Sequence, residues 1–383
     1  MVASSNWGYA GAMRRSLLFS ALLVLAACFP SAASAAPERY IVVLKDGVSS
    51  SAEVASEHSR RHGASVGFVY GYALKGYSAT IPSERVAALR ADSRVDYVVP
   101  DGVATAVAQT LPWGIDKIDA DASSTIAGNG SGAVANVNAY VIDTGISPHP
   151  DLKLTGHVSF AGGKNTDCNG HGTHVAGTIA AIDNASDVVG VAPGAPLTGV
   201  KVLGCSGSGS WSAVIKGIDW VTANASKPAV ANMSLSGGAN QAVDDAVRGS
   251  AASGVFYALA AGNEGTNACN SSPARAGTTA GIVTTAATDS LDREASWSNY
   301  GPCVDIWSPG VSILSTRRGG GTTTMSGTSM ASPHSAGGAA LYLSNNVGAS
   351  AADVEAAVKS SAQITGTLSK TGRGIRRLYV GGF

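Results

Sequence analysis

The sequence predicts an α/β fold, a mostly parallel central sheet with helices on both faces, preceded by a small separate α+β unit. Beyond residue 105, apolar strand-like runs alternate with helical patterns, the order that builds parallel sheets through crossover helices. Charge is uneven along the chain. Sixteen of the 69 residues from Pro37 to Thr105 are Lys, Arg, Asp or Glu, about 23%, against 34 of the 278 from Ala106 onward, about 12%. Glycine supplies 48 of the 383 residues with no every-third-residue rhythm, which sets collagen aside and leaves a crowded, loop-rich globule.

In chain order, Arg14 and Arg15 precede an apolar stretch from Leu17 to about Ala27, and Ala33-Ser34-Ala35 offers small residues for cleavage. Residues 1–35 therefore read as a secretory signal, too short in its apolar part for the roughly 20 residues that span a bilayer. Leu25-Ala26-Ala27-Cys28 gives an alternative, a lipid anchor through Cys28. Residues 36–105 form the α+β unit. Its strands are read at Tyr40–Leu44, Phe68–Tyr70 and Val95–Val99, and its helices at Ser51–His58 and, capped by Ser83, at Ser83–Arg90. Residues 106–383 form the α/β body, with strands at Ala139–Ile142, Gly199–Leu203 and Val255–Leu259 and a helix at Ala213–Trp220. Lysine and arginine total 26, as do aspartate and glutamate, so no basic surplus exists for a phosphate backbone or an anionic membrane.

Past the signal, four cysteines remain, Cys168, Cys205, Cys269 and Cys303. In an exported chain they imply two disulfides, with three pairings open. The spacing of Cys168, His171 and His174 also admits a zinc ion.

Active groups in an open parallel sheet gather at the carboxyl ends of strands. Asp143 follows the strand Ala139–Ile142, where an Asp can equally cap a turn. His171 opens an apolar helix among glycines in Asn169-Gly170-His171-Gly172-Thr173-His174. Ser329 stands near the start of another helix, where it can act as nucleophile or as N-cap. Asn263 lies just past the strand at Val255–Leu259, its amide able to meet developing negative charge. Together they compose a mechanism in which Asp143 orients His171, His171 takes the proton of Ser329, and Asn263 with the Ser329 backbone N–H holds the oxyanion. The chain order Asp, His, Ser and the lack of a Gly-x-Ser-x-Gly elbow exclude the α/β-hydrolase arrangement.

Asp143-Thr144-Gly145, His171-Gly172-Thr173-His174 and Gly327-Thr328-Ser329-Met330-Ala331 resemble the three signature blocks of the subtilisin-like serine proteases, in that family's order. The similarity runs from about Trp113 to about Asn346. Asp167-Cys168-Asn169-Gly170, Leu203–Ser210 and Ser298–Gly301 before Cys303 look like its proteinase K and aqualysin type. The resemblance implies disulfides Cys168 with Cys205 and Cys269 with Cys303, and an inhibitor-type propeptide at residues 36–105 that assists folding and is removed. It implies peptide pairing along Gly207, Ser208 and Gly209, and a pocket walled by Ser234, Leu235 and Ser236 with Ala260, Ala261 and Gly262. Trp211 falls at an aromatic rim. Ser236 stands where the family pattern has glycine, and Ser335 replaces a small apolar residue. The family needs no cofactor for catalysis, while structural calcium is implied at Asp305 and at Asp116 with Asp119. The expected protein is a secreted, monomeric endopeptidase acting on polypeptides, with its own propeptide as inhibitor and neither a nucleic-acid partner nor a stable membrane span.

Overall fold

A computed structural model describes residues 38–102 and 109–383; the signal segment and Cys28 lie outside the described residues. The chain divides into two compact units, Met1–Thr105 and Ala106–Phe383.

In the first unit the elements are β1 (Glu38–Leu44), α1 (Ser51–His62), β2 (Ser65–Tyr70), β3 (Gly76–Ile81), α2 (Val86–Arg90) and β4 (Val95–Pro100). The strands form an antiparallel sheet in the order β2-β3-β1-β4. Val42, Leu44, Val54, Tyr77, Leu89 and Val98 make its core. The Ser50 hydroxyl accepts the Glu53 N–H and caps α1. The expected helix at Ser83–Arg90 is corrected: Ser83–Arg85 is a 3₁₀ turn, α2 begins at Val86, and no side chain caps either. Pro82 has already fixed the chain's entry there, so Ser83 lies inside the turn instead of before it. Strand β3 is not announced by the sequence pattern, because Gly76, Ser78 and Ala79 interrupt the β-branched signal.

In the second unit come α3 (Trp113–Lys117), β5 (Asn138–Asp143), β6 (Leu154–Ser159), α4 (His171–Ala180), β7 (Leu197–Lys201), α5 (Trp211–Asn224) and β8 (Ala229–Met233). These are followed by β9 (Gly237–Gly238), α6 (Gln241–Ala252), β10 (Phe256–Ala260), β11 (Ser271–Ser272), β12 (Ile282–Thr288), β13 (Ile306–Pro309), β14 (Ile313–Thr316) and β15 (Thr322–Met325). The last are α7 (Thr328–Asn345), α8 (Ala351–Ser361), β16 (Gln363–Leu368) and β17 (Gly374–Arg377). Nine strands form one sheet ordered β16-β17-β13-β12-β10-β8-β5-β7-β6, parallel except for the β16–β17 pair.

The side-chain alternation of a strand sends neighbours to opposite faces. Val141 joins the core with α4, α7 and α8 (Val175, Ile179, Leu341, Val354), whereas Ile142 joins the core with α5 and α6 (Val214, Ile218, Val243, Val247). Among the described residues no helix is long and apolar enough to cross a membrane.

Candidate active site

Asp143 is the last residue of β5 and is fully buried. Its Oδ1 and Oδ2 lie 2.7 and 2.9 Å from His171 Nδ1, and Oδ1 also accepts the Thr144 N–H at 2.6 Å. A carboxylate acceptor at Nδ1 assigns the ring proton there and leaves the Nε2 lone pair free. His171 is the first residue of α4 and its side chain keeps 25% exposure, so the ring reaches the cleft while Asp143 stays dry. A Cβ on Gly172 would stand 2.2 Å from the Gly145 carbonyl and 3.2 Å from Asp143 Oδ1. Only glycine lets α4 start this close to β5. Burial of the imidazole disfavours its charged form, but the Asp143 charge and hydrogen bond, helped by Asp167, outweigh it and raise the His171 pKa.

Ser329 is the second residue of α7, and that helix runs straight through Pro333. Its start lies where the sequence places it, near Ser329, and the small and apolar run from Gly337 continues it. Proline has no N–H for the carbonyl four residues earlier, so the Ser329 carbonyl loses its helical partner. The Ser234 hydroxyl donates to it at 2.8 Å instead. Ser234 is itself fixed by Asn232 Nδ2 at 2.9 Å, whose Oδ1 accepts from Ser332 at 2.7 Å. The Ser329 hydroxyl donates to the Ser234 carbonyl at 3.2 Å, so turning to His171 takes a rotation about its Cα–Cβ bond.

Asn263 Oδ1 accepts both the Thr328 N–H and the Thr328 hydroxyl at 2.9 Å. That pair fixes the amide's orientation and turns Nδ2 toward the cleft. A Cβ on Gly327 would be 3.5 Å from both Asn263 Nδ2 and the Ser329 backbone nitrogen, so the two nitrogens lie no more than twice that distance apart. Gly262 holds φ at 102°, and a Cβ there would meet Asn299 Nδ2 at 2.3 Å. Both facts require glycine.

His171, Asn263 and Ser329 line one cleft of about 520 Å³ with Gly207, Ser208, Gly209, Trp211, Ser234, Leu235, Ser236, Ala260 and Gly262. Ala261 is a correction: it is fully buried, with Ala268, Ala286 and Trp307, and does not line the cleft. Ala260, the last residue of β10, and Gly262 do line it. Glu264 also lines the cleft and accepts from Asn299 Nδ2 at 2.7 Å. Sequence reasoning misses it, although it is the one acidic side chain in Ala260–Gly265.

Comparison with known proteins places these residues in a family. Residues 136–375 match the Subtilase family and residues 39–106 match the Peptidase inhibitor I9 family. The chain belongs to the subtilase family. The "Extracellular serine proteinase" of Thermus sp. (strain Rt41A) is 46% identical over 297 residues, covering 73% of this chain and 69% of that protein. The "Alkaline serine exoprotease A" of Vibrio alginolyticus is 44% identical over 335 residues, 81% of this chain; the chain spans only 59% of that relative's length. A crystal structure of a cold adapted subtilisin-like serine proteinase aligns with a TM-score of 0.64 at 43% identity, over 70% of this chain and 98% of the other.

In this subtilase Cys168 bonds Cys205 and Cys269 bonds Cys303. A zinc site on Cys168, His171 and His174 is excluded, because Cys168 is no free thiolate, and His171 faces Asp143 while His174 Nε2 faces the Ile313 carbonyl at 3.0 Å.

The calcium expectation at Asp305 also fails the test of fit. Lys359 Nζ lies 2.9 Å from Asp305 Oδ1 and 3.0 Å from Glu355 Oε1, while Asp305 Oδ2 accepts the Thr284 N–H at 2.8 Å. The lysine supplies the cation, and both carboxylate oxygens are engaged. Asp116 is exposed, and Asp119 lies at φ 59° with its N–H on the Asp116 carbonyl. Among the described residues no three His, Cys, Asp or Glu side chains are grouped to hold a metal. At the Asp305 position, where Lys359 already supplies the positive charge, added calcium is expected to leave the thermal midpoint unmoved. Lys359→Met should lower stability by about 1–2 kcal/mol, small because the lysine is partly exposed, and should make the midpoint rise with added calcium. A Lys359→Met protein whose midpoint ignores added calcium would contradict this.

His174 and His334 are fully buried, and burial pushes the pKa of each down to about 4. The unfolded chain binds these protons near pH 6.5, so the native state is favoured above that value and loses stability as pH falls toward 4. The loss is expected to be about 3 kcal/mol per histidine. Urea midpoints of the Ser329→Ala protein between pH 7 and 4 measure it, and a flat profile would reject it.

Proposed function

We propose that this chain is a secreted serine endopeptidase, synthesised as a precursor that removes its own I9 segment and hydrolyses polypeptides through an acyl-enzyme on Ser329. The observation that carries the reading is the contact of buried Asp143 with His171 Nδ1 at 2.7 and 2.9 Å, in a cleft shared with Ser329 and Asn263. His171 Nε2 takes the hydroxyl proton as Ser329 Oγ attacks the peptide carbonyl. Asp143 stabilises the imidazolium that forms. The carbonyl oxygen gains the electron pair and is held by Asn263 Nδ2 and the Ser329 N–H. The imidazolium then gives its proton to the leaving amine, and water repeats the sequence on the ester to release the acid and restore Ser329.

The exposed segment Gly207, Ser208 and Gly209 offers main-chain groups to an extended peptide, a mode that favours broad sequence tolerance. The test is labelling of the processed protein by a fluorophosphonate, with the adduct mapped to Ser329, together with hydrolysis of casein. A folded protein that is neither labelled nor active rejects the proposal.

A further inference from the structure

The sheet end that carries Asp143 also buries a lysine. Lys201 closes β7 directly beside Asp143 in the parallel register, and it is 1% exposed. Its ammonium donates to the Thr144 carbonyl at 2.7 Å and the Leu203 carbonyl at 2.9 Å, and lies 3.7 Å from Cys168 Sγ. An ammonium has three N–H donors and no acceptor. All three are directed at uncharged atoms, so the positive charge is held in the interior without direct contact with a carboxylate.

Two buried carboxylates share that region. Asp143 orients His171, and Asp167, 2% exposed, organises the start of α4. Asp167 accepts from the Thr144 hydroxyl at 3.0 Å, the Asn169 N–H and Gly170 N–H at 2.8 Å, the Thr173 N–H at 3.0 Å and the Thr173 hydroxyl at 2.6 Å. Thr144 in turn accepts the Gly172 N–H at 2.9 Å. Residues 143–144, the His171 helix and the β7 end are thus one hydrogen-bonded block. Among the described residues, Lys201 is that block's only buried cation besides a protonated His171. With His171 neutral the block carries one excess negative charge. With His171 protonated it is balanced.

We infer that Lys201 is a positioning residue for the triad, clamping the chain after Asp143 to the β7 end and offsetting one of two buried carboxylates so that His171 can release its proton. The inference rests on the proposed triad. Without the ammonium, two carboxylates would hold the imidazolium and the ring would be a poor base near neutral pH. Burial draws the proton affinity of Lys201 down, and Asp167 and Asp143 oppose that. The other groups around His171 are His174 on its own helix, Arg318 beside Gly170, and Glu264 across the cleft.

The experiment is the pH profile of kcat/KM on a chromogenic peptide for the native enzyme, Lys201→Met and Lys201→Arg, each first titrated with the fluorophosphonate. Lys201→Met should move the acid limb up by roughly 0.5–1 pH unit, lowering activity several-fold near pH 6.5 and little at alkaline pH. Lys201→Arg should stay near the native limb. A purely structural lysine would lower activity evenly at all pH values, and an unmoved limb in active Lys201→Met overturns the inference. Should Lys201→Met not fold, the ¹³Cε shift of Lys201 in the labelled native enzyme decides: a charged amine at pH 8 supports it, and a neutral one overturns it. Failure of the native enzyme to react with the fluorophosphonate would instead strike the triad reading.

Discussion

Ser329→Ala is expected to leave a full-length, folded precursor whose kcat on peptides is about 10⁶-fold below that of the native enzyme, the loss already known for the catalytic serine of subtilisin. Membership of the same family carries that magnitude to this chain. The physical reason is the loss of the only oxygen that can form the ester. The fold should survive, because the hydroxyl contributes a single 3.2 Å hydrogen bond and the backbone stays anchored by Ser234 on the Ser329 carbonyl. N-terminal sequencing gives the second readout. Self-removal of the I9 segment should stop in Ser329→Ala and resume when native enzyme is added in trans. His171→Ala should be nearly as inactive, and the double variant hardly worse than either, since the two groups act in one step. Casein hydrolysis by Ser329→Ala above about one hundredth of the native rate would place the nucleophile elsewhere.

Asn263→Ala should reduce kcat by about 10²–10³ with KM little changed, the range already established for the oxyanion-hole asparagine of subtilisin. A donor that meets charge only in the transition state lowers kcat without weakening substrate binding. Thr328→Ala is the informative companion. It keeps Nδ2 but removes the hydroxyl that Asn263 Oδ1 accepts and the acceptor of the Gly262 N–H at 3.0 Å. Its loss should be smaller, because the Thr328 N–H still holds the amide at 2.9 Å. Equal losses in KM for both variants would mean that Asn263 binds substrate rather than charge.

Much of the site is legible in the sequence because its chemistry needs particular residue types beside particular breaks in structure. Asp143 ends a run of apolar residues, His171 is surrounded by glycine, and Asn263 follows a buried strand. What stayed hidden is set by long-range packing. The Ser234 hydroxyl on the Ser329 carbonyl joins residues 95 apart, and no local pattern announces it, although Pro333 hints that a carbonyl has been freed. Lys201 lies inside the apolar run Gly199–Leu203, and nothing local to that run announces that its ammonium is buried against the Thr144 carbonyl. The partner of Asp305 is hidden for a similar reason, since the resemblance implies a calcium ligand there and Lys359 arrives from α8, 54 residues away, to meet its carboxylate. Ala261 shows the limit of reasoning by neighbourhood, because one residue beyond the end of β10 its side chain packs with Ala268, Ala286 and Trp307.

The strand order has a consequence for when this protein can do harm. Adjacent β5, β8, β10, β12 and β13 are parallel, so each pairing waits for an intervening crossover, and such non-local topologies assemble slowly. Asp143 emerges from the ribosome early, while Ser329 belongs to a helix that follows nearly all of the sheet. A partly synthesised or half-assembled chain therefore carries the acid and the base with no nucleophile beside them. Cutting power arrives late, after most of the sheet that must withstand it has been made.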